Sequence, residues 1–177
     1  MKKKKLATVW LDGCSGCHMS FLDIDERILA VVEKADLVYS PLVDVKVFPK
    51  HVDIALVEGA VGNVEDLERI RMVREHTDIL VSLGDCAVTA NVPGMRNLFK
   101  KQAVLDRAYR DNVARAAGIP DEVIPPILDR VRPVHEVVKV DVFVPGCPPS
   151  ADTIFTVLSE LLDGKMPDME NLTRFGA

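Results

Sequence analysis

Four cysteines, Cys14, Cys17, Cys86 and Cys147, are the chain's whole thiol complement, and each stands just past an apolar run. Cys14-Ser-Gly-Cys17 follows Ala7-Thr-Val-Trp-Leu11, Cys86 follows Asp78 to Leu83, and Cys147 follows Val140 to Val144. Thiolates are soft ligands that take zinc or iron–sulfur clusters. The spacing of Cys14 and Cys17 lets both sulfurs reach one metal centre. Gly13 and Gly16 let that loop bend tightly and bring amide N–H groups toward the sulfurs, where such bonds tune a cluster's potential. Gly84 and Gly146 stand beside the other two cysteines, and Pro145, Pro148 and Pro149 fix backbone angles in the last loop. A stiff loop suits a centre that changes charge without large movement.

Other chemistries use the same residues. Structural zinc also takes four cysteines, but usually as two close pairs. One pair joined by two distant singles leans toward an iron–sulfur cluster, and zinc stays open on spacing alone. A thioredoxin-type dithiol of Cys14 and Cys17 leaves Cys86 and Cys147 unexplained. Four unrelated core cysteines fit poorly with placement in Gly-rich loops outside the apolar runs. His18 adjoins Cys17 and has the reach to hydrogen-bond near the centre, although four cysteines already fill a ligand set. His51, His76 and His135 read as surface or loop residues, Trp10 as a core or interface aromatic, and Asp23, Asp25 and Glu26 as a solvated helix face.

The thiols need elements that gather them. Ala7–Leu11, Ala35–Tyr39, Val52–Val57, Asp78–Leu83 and Val140–Val144 read as five strands. Helical spacing appears over Ser20–Glu33 (Phe21, Ile24, Ile28, Leu29, Val32), with Ser20 as N-cap, over Val64–His76 (Leu67, Ile70, Val73), and over Ser150–Leu162 (Ile154, Val157, Leu158, Leu161, Leu162), which Gly164 stops. Strand–helix alternation predicts an α/β fold, a flavodoxin-like three-layer α/β/α arrangement with a five-stranded, mainly parallel sheet. Ligands in such folds sit at the carboxyl ends of the strands, where all four cysteines fall. The stretch 91–133, with Pro93-Gly94, Gly118, Pro120, Pro125-Pro126 and Pro133, reads as a helical excursion within one domain spanning 1–177.

Bulk composition bounds the function. A length of 177 residues, 48% hydrophobic and 28% charged, fits one globular domain. A formal charge of −5 argues against nucleic acid as a partner. Lys2 to Lys5 lead straight into the first strand without the apolar region of a signal peptide, and no apolar stretch reaches membrane-spanning length. The expected compartment is the cytoplasm, where thiols stay reduced, with no membrane insertion. No Gly-x-Gly-x-x-Gly or P-loop is present, so any NAD site would belong to another chain. A flavodoxin-like fold is compatible with FMN, but fold alone is no warrant for it.

Four motifs in fixed order carry a resemblance: Val9-Trp-Leu-Asp-Gly-Cys-Ser-Gly-Cys17, Val57-Glu-Gly-Ala60, Gly84-Asp-Cys-Ala87 and Pro145-Gly-Cys-Pro-Pro149. Together they resemble the small subunit of [NiFe] hydrogenases over most of the chain. Gly84 to Asn97 is similar to the cytoplasmic NAD-reducing branch. The resemblance implies one [4Fe–4S] cluster held by Cys14, Cys17, Cys86 and Cys147, and no catalytic residue in this chain. It implies a large subunit carrying the Ni–Fe site, diaphorase subunits with iron–sulfur clusters and flavin, and the overall reaction of a hydrogen dehydrogenase. Glu58 becomes a candidate for the subunit interface or for proton movement. Periplasmic relatives carry a twin-arginine leader and ligands for further clusters; this sequence shows neither, so electrons are expected to enter and leave through adjacent subunits. The related cluster subunit of respiratory complex I has adjacent cysteines in its first motif, whereas Ser15 and Gly16 separate Cys14 from Cys17 here. Two other readings stay in play: the cluster subunit of a complex I-like quinone-reducing oxidoreductase, and a zinc-stabilised, non-catalytic interaction module.

Overall fold

The computed structural model describes residues 2–115 and 118–173. Five strands, β1 (Lys4–Trp10), β2 (Ala35–Tyr39), β3 (Val52–Glu58), β5 (Thr77–Leu83) and β7 (Val142–Val144), form one sheet in the order β2-β1-β3-β5-β7. Every pairing in it is parallel, as the flavodoxin-like expectation required. Between β3 and β5 lie a short strand β4 (Val61–Asn63) and helix α3 (Val64–Glu75).

Both faces of the sheet are buried, which is why its strands read as near-continuous apolar runs. Leu6, Ile54, Leu56, Val81 and Val144 face a core shared with Phe21 and Ile24 and with helix α7 (Ala151–Leu162) through Ile154, Leu158 and Leu161. Ala7, Val9, Ala55, Val57 and Leu80 face the opposite core, closed by Ile70 and Val73 of α3. Asn63 caps α3 by accepting from the Asp66 N–H, while the Asp66 carboxylate returns to the Asn63 N–H. Ser150 caps α7 through the Thr153 N–H.

Two expectations need correction. The first helical stretch is not one helix capped by Ser20. Helix α1 spans Gly16–Leu22, a single 3-10 turn follows at Asp25–Arg27, and α2 runs Ile28–Lys34. Asp25 takes a positive φ at the break, so the apolar stripe shifts: Phe21, Ile24 and Val31 are buried, whereas Leu29 and Val32 are exposed. The stretch 91–133 is only partly helical. It holds α5 (Asn91–Gly94), a 3-10 turn at Met95–Leu98 and α6 (Lys101–Asp106) with a π-turn after it, but Ile127–Arg132 is a strand, β6, paired antiparallel with β4. Ala116 and Ala117 of that stretch lie outside the described residues. Trp10, read as a core or interface aromatic, is 44% exposed, which fits the interface alternative and not the core one; its indole N–H donates to the Gly13 carbonyl. Among the described residues no helix is long and apolar enough to cross a membrane.

Candidate metal centre

Parallel register decides where the cysteines go. Trp10 pairs with Glu58, Glu58 with Leu83, and Leu83 with Val144. Three cysteine-bearing segments therefore leave the sheet from level positions on one edge. Cys14 sits in the loop after β1. Cys17 lies in the first turn of α1, Cys86 opens helix α4 (Asp85–Thr89), and Cys147 sits in the loop before α7. Cys17 and Cys86 thus stand on short helices and not in open loops. All four are free thiols; Cys14 and Cys147 are exposed, Cys86 is half-buried and Cys17 is buried.

Hydrogen bonds tie these segments to one another. Gly84 N–H donates to the Val144 carbonyl at 2.8 Å, and Asp85 N–H to the Gly146 carbonyl at 2.8 Å. The Asp85 carboxylate accepts from Gly146 N–H at 2.7 Å, so the Cys86 and Cys147 segments are joined three times. The Ser20 hydroxyl, inside α1, donates to the Pro149 carbonyl at 2.5 Å and joins the Cys17 helix to the Cys147 loop. The Cys14 loop is held to the end of β3 by Leu11 N–H donating to the Glu58 carbonyl and by reciprocal Asp12–Ala60 bonds. Gly84 has φ +81, and a methyl group there would collide with the Cys17 sulfur. Glycine at this position serves both the left-handed backbone and the close approach of two cysteine segments.

The sulfurs sense one another. The Cys17 thiol is pushed far up by burial, then by the Glu58 charge and by Cys86, Cys14 and Cys147. The Cys86 thiol is pushed up to about 11 by burial, opposed by a bond from the Val92 N–H, with Cys147, Cys14 and Glu58 adding to the rise. Four sulfur donors on three mutually fastened segments form a set for a cationic centre. Thiolates held apart from water by burial and by mutual repulsion gain most from metal charge. This set fits an iron–sulfur cluster, and tetrahedral zinc fits the same donors.

Glu58 lies beneath this edge and is neither solvated nor exposed, at 2% accessibility. Its Oε2 accepts from the His18 backbone N–H at 2.9 Å and meets His18 Nδ1. Nε2 of the same imidazole meets the Thr8 hydroxyl at 3.0 Å, and Thr8 donates to the Ser40 hydroxyl at 2.7 Å. All four residues are buried. The chain Glu58–His18–Thr8–Ser40 was not visible in sequence, because its members come from β3, α1, β1 and the end of β2. The one local hint was His18 beside Cys17. His51, by contrast, is an exposed residue paired with Asp78 at 3.1 Å on the opposite edge. Asp23, Asp25 and Glu26 are exposed as expected.

Comparison with known proteins agrees with this geometry. Residues 14–161 match the family model described as NADH ubiquinone oxidoreductase, 20 Kd subunit. The chain is 45% identical over 172 residues to the delta subunit of the NAD-reducing hydrogenase HoxS of Cupriavidus necator, covering 94% of this chain and 82% of the relative. It is 31% identical over 183 residues to the iron-sulfur subunit of the F420-non-reducing hydrogenase of Archaeoglobus profundus, covering 92% of this chain and 57% of that longer protein. Its fold superimposes with a TM-score of 0.93, at 40% identity, on a chain of an NAD+-reducing [NiFe]-hydrogenase crystallised in the H2-reduced state, covering 98% of this chain and 99% of the other. The chain belongs to the 20 kDa subunit family of NADH ubiquinone oxidoreductase, in the branch that contains the delta subunit of NAD-reducing hydrogenase.

Proposed function

We propose that this chain is the electron-transfer small subunit of a cytoplasmic, NAD-linked [NiFe] hydrogenase. The observation that carries this reading is the gathering of Cys14, Cys17, Cys86 and Cys147 on one sheet edge by segments that are hydrogen-bonded to each other. A [4Fe–4S] cluster, when bound there, supplies one-electron chemistry. Everything else this chain contributes is placement and tuning. The segments fix the sulfurs, and the buried Glu58 carboxyl beneath the edge holds the first cysteine helix through the His18 N–H. The electrons come from a Ni–Fe site in a large subunit and go on to a diaphorase module of iron–sulfur and flavin subunits. Similarity to the delta subunit of an NAD-reducing hydrogenase supports those partners.

Glu58 has two roles in this reading. It anchors the first cysteine helix through the His18 N–H, and it heads a chain of buried groups, His18, Thr8 and Ser40, able to pass a proton along hydrogen bonds. Glu58→Gln preserves the shape and removes the acid, so it is expected to slow turnover while the cluster stays; unchanged turnover removes the proton role. Cys86→Ser and Cys147→Ser are expected to abolish the cluster's electron paramagnetic signal and hydrogen-dependent NAD reduction. Full activity in both overturns the ligand assignment. The description of the matching family favours a second reading, a cluster subunit of a quinone-reducing, complex I-like enzyme. Nickel in the purified native complex separates the two, since only the hydrogenase reading requires it.

A further inference from the structure

The amino ends of the strands, at the edge opposite the cysteines, carry a second set of metal-ligating groups. Parallel register creates it. Val52 pairs with Thr77 and Ile54 with Ile79, so Asp53 and Asp78 stand level on neighbouring strands and on one face of the sheet. Like charges directly opposite each other destabilise a sheet, and the fold does little to offset this pair. Among the described residues no lysine or arginine forms an ion pair with either carboxylate. Lys5 is the neighbour of Asp53 on β1, yet it is the backbone N–H of Lys5 that reaches Asp53, donating to Oδ2 at 2.7 Å. The Arg74 guanidinium is spent on the Asp141 carboxylate and on the backbone carbonyls of Thr77 and Asp78.

The third member is His51, the residue before β3. Its Nε2 lies 3.1 Å from Asp78 Oδ2, and one ligand atom from each of His51, Asp53 and Asp78 lies within 4.8 Å of the other two. Two ligand atoms bound tetrahedrally to one zinc ion at about 2.0–2.2 Å stand roughly 3.3–3.5 Å apart. The His51–Asp78 spacing is already close to that, and a small side-chain rotation brings in Asp53. Asp53 is half-buried and is the fixed corner, because the Lys5 N–H orients its carboxylate as outer hydrogen bonds orient metal-ligating carboxylates. The side chains of His51 and Asp78 are 54% and 61% exposed, which leaves water free to fill the rest of the coordination. One imidazole nitrogen with two carboxylates selects zinc and its first-row neighbours over magnesium and calcium, which take oxygen alone.

We propose that His51, Asp53 and Asp78 hold a zinc-class divalent cation as a structural clip. The cation cancels the repulsion between the facing carboxylates and ties the end of the β2–β3 connection to both β3 and β5. That connection, residues 40–51, contains no helix or strand, so its entry into the central strand β3 is otherwise fixed by side-chain contacts alone. The site uses none of the four cysteines, and the proposal stands apart from the electron-transfer reading.

The test uses the native complex, purified anaerobically with the cysteine site filled, and zinc itself as the probe. Wild type, H51Q and D53N/D78N are titrated calorimetrically; asparagine at 53 keeps an acceptor for the Lys5 N–H. Wild type is expected to bind one zinc more per chain than D53N/D78N. H51Q is expected to bind that zinc at least about tenfold more weakly, since loss of an outer-shell partner alone costs about 10–100-fold. The paramagnetic signal of the cluster is expected to be the same in all three. Zinc is also expected to slow tryptic cleavage after Lys50, beside His51, several-fold in wild type and not in the variants. Equal zinc stoichiometry and affinity in wild type and D53N/D78N overturns the site, as does displacement of the zinc by a large excess of magnesium. Cleavage after Lys50 that zinc does not slow in wild type overturns the clip. If D53N/D78N fails to assemble, H51Q carries the comparison, because its exposed side chain is not needed for folding, and wild-type affinity in H51Q then overturns the site.

Discussion

Removing the Glu58 carboxylate is the sharpest test of how this fold holds its cysteine edge. Glu58 is buried with His18 against it, and Oε2 serves both the His18 backbone N–H and the ring. Glu58→Ala leaves two buried His18 groups without their acceptor, at about 1–3 kcal/mol each, and opens a cavity. Truncating one partner of a buried pair costs about 3–5 kcal/mol in general, which agrees with that sum. Against a total stability of about 5–15 kcal/mol this is a large fraction. At about 2–4 °C per kcal/mol for a domain of this size, the midpoint falls by roughly 6–20 °C. Glu58→Gln keeps the volume and an oxygen for the backbone N–H, so its cost is about 1–2 kcal/mol, the loss of charge assistance. Urea unfolding of the metal-free chain, followed by far-UV circular dichroism, separates the two variants. His18→Ala in the Glu58→Ala background closes a double-mutant cycle, with an expected coupling of about 1–3 kcal/mol. If Glu58→Ala costs less than about 1 kcal/mol, or if the Ala and Gln variants unfold alike, Glu58 does not anchor the first cysteine helix.

Two further outcomes follow from the same edge. Gly84→Ala places a methyl group against the Cys17 sulfur at φ +81, so iron incorporation should fall sharply while circular dichroism still reports a folded sheet; wild-type iron content would show that the segments need not approach so closely. Raised thiol pKa values make the metal-free chain sensitive to alkali. Cys86, pushed up to about 11 from an ordinary 9.0, and Cys17, pushed higher still, remain protonated in the folded chain after the unfolded chain has ionised. Their contribution is therefore intact below about pH 9 and is lost as pH rises through the folded values. Urea midpoints should decline from pH 9 to 11 in the wild type and decline less in Cys17→Ser/Cys86→Ser; equal slopes would contradict this.

The sheet was legible because parallel strands buried on both faces write themselves as apolar runs. Ala35–Tyr39 matched to the residue, and the other four strands differed from expectation only at their ends. The cysteine edge was legible for the same reason, since strand ends in register bring following residues together. What escaped notice depends on contacts distant in sequence. Ser20 resembled an N-cap followed by an acidic residue, yet α1 already begins at Gly16, preceded by Ser15 in a left-handed conformation, and the Ser20 hydroxyl is spent on Pro149. Strand β6 carries exposed Asp129 and Arg130 between prolines and has only a short partner, so no apolar alternation announced it. The Glu58–His18 pair could not be read locally, because burying a carboxylate is favourable only when a residue forty positions away supplies the donors.

What the four sulfurs hold decides the function, and chemical analysis of the native complex addresses that directly. Purified anaerobically, the complex is assayed for iron, acid-labile sulfide and zinc before and after Cys86→Ser. One [4Fe–4S] cluster in this chain predicts that the substitution removes about four irons and four sulfides per chain and leaves zinc unchanged. Zinc lost in place of iron, without sulfide, would contradict the account and leave a structural zinc module.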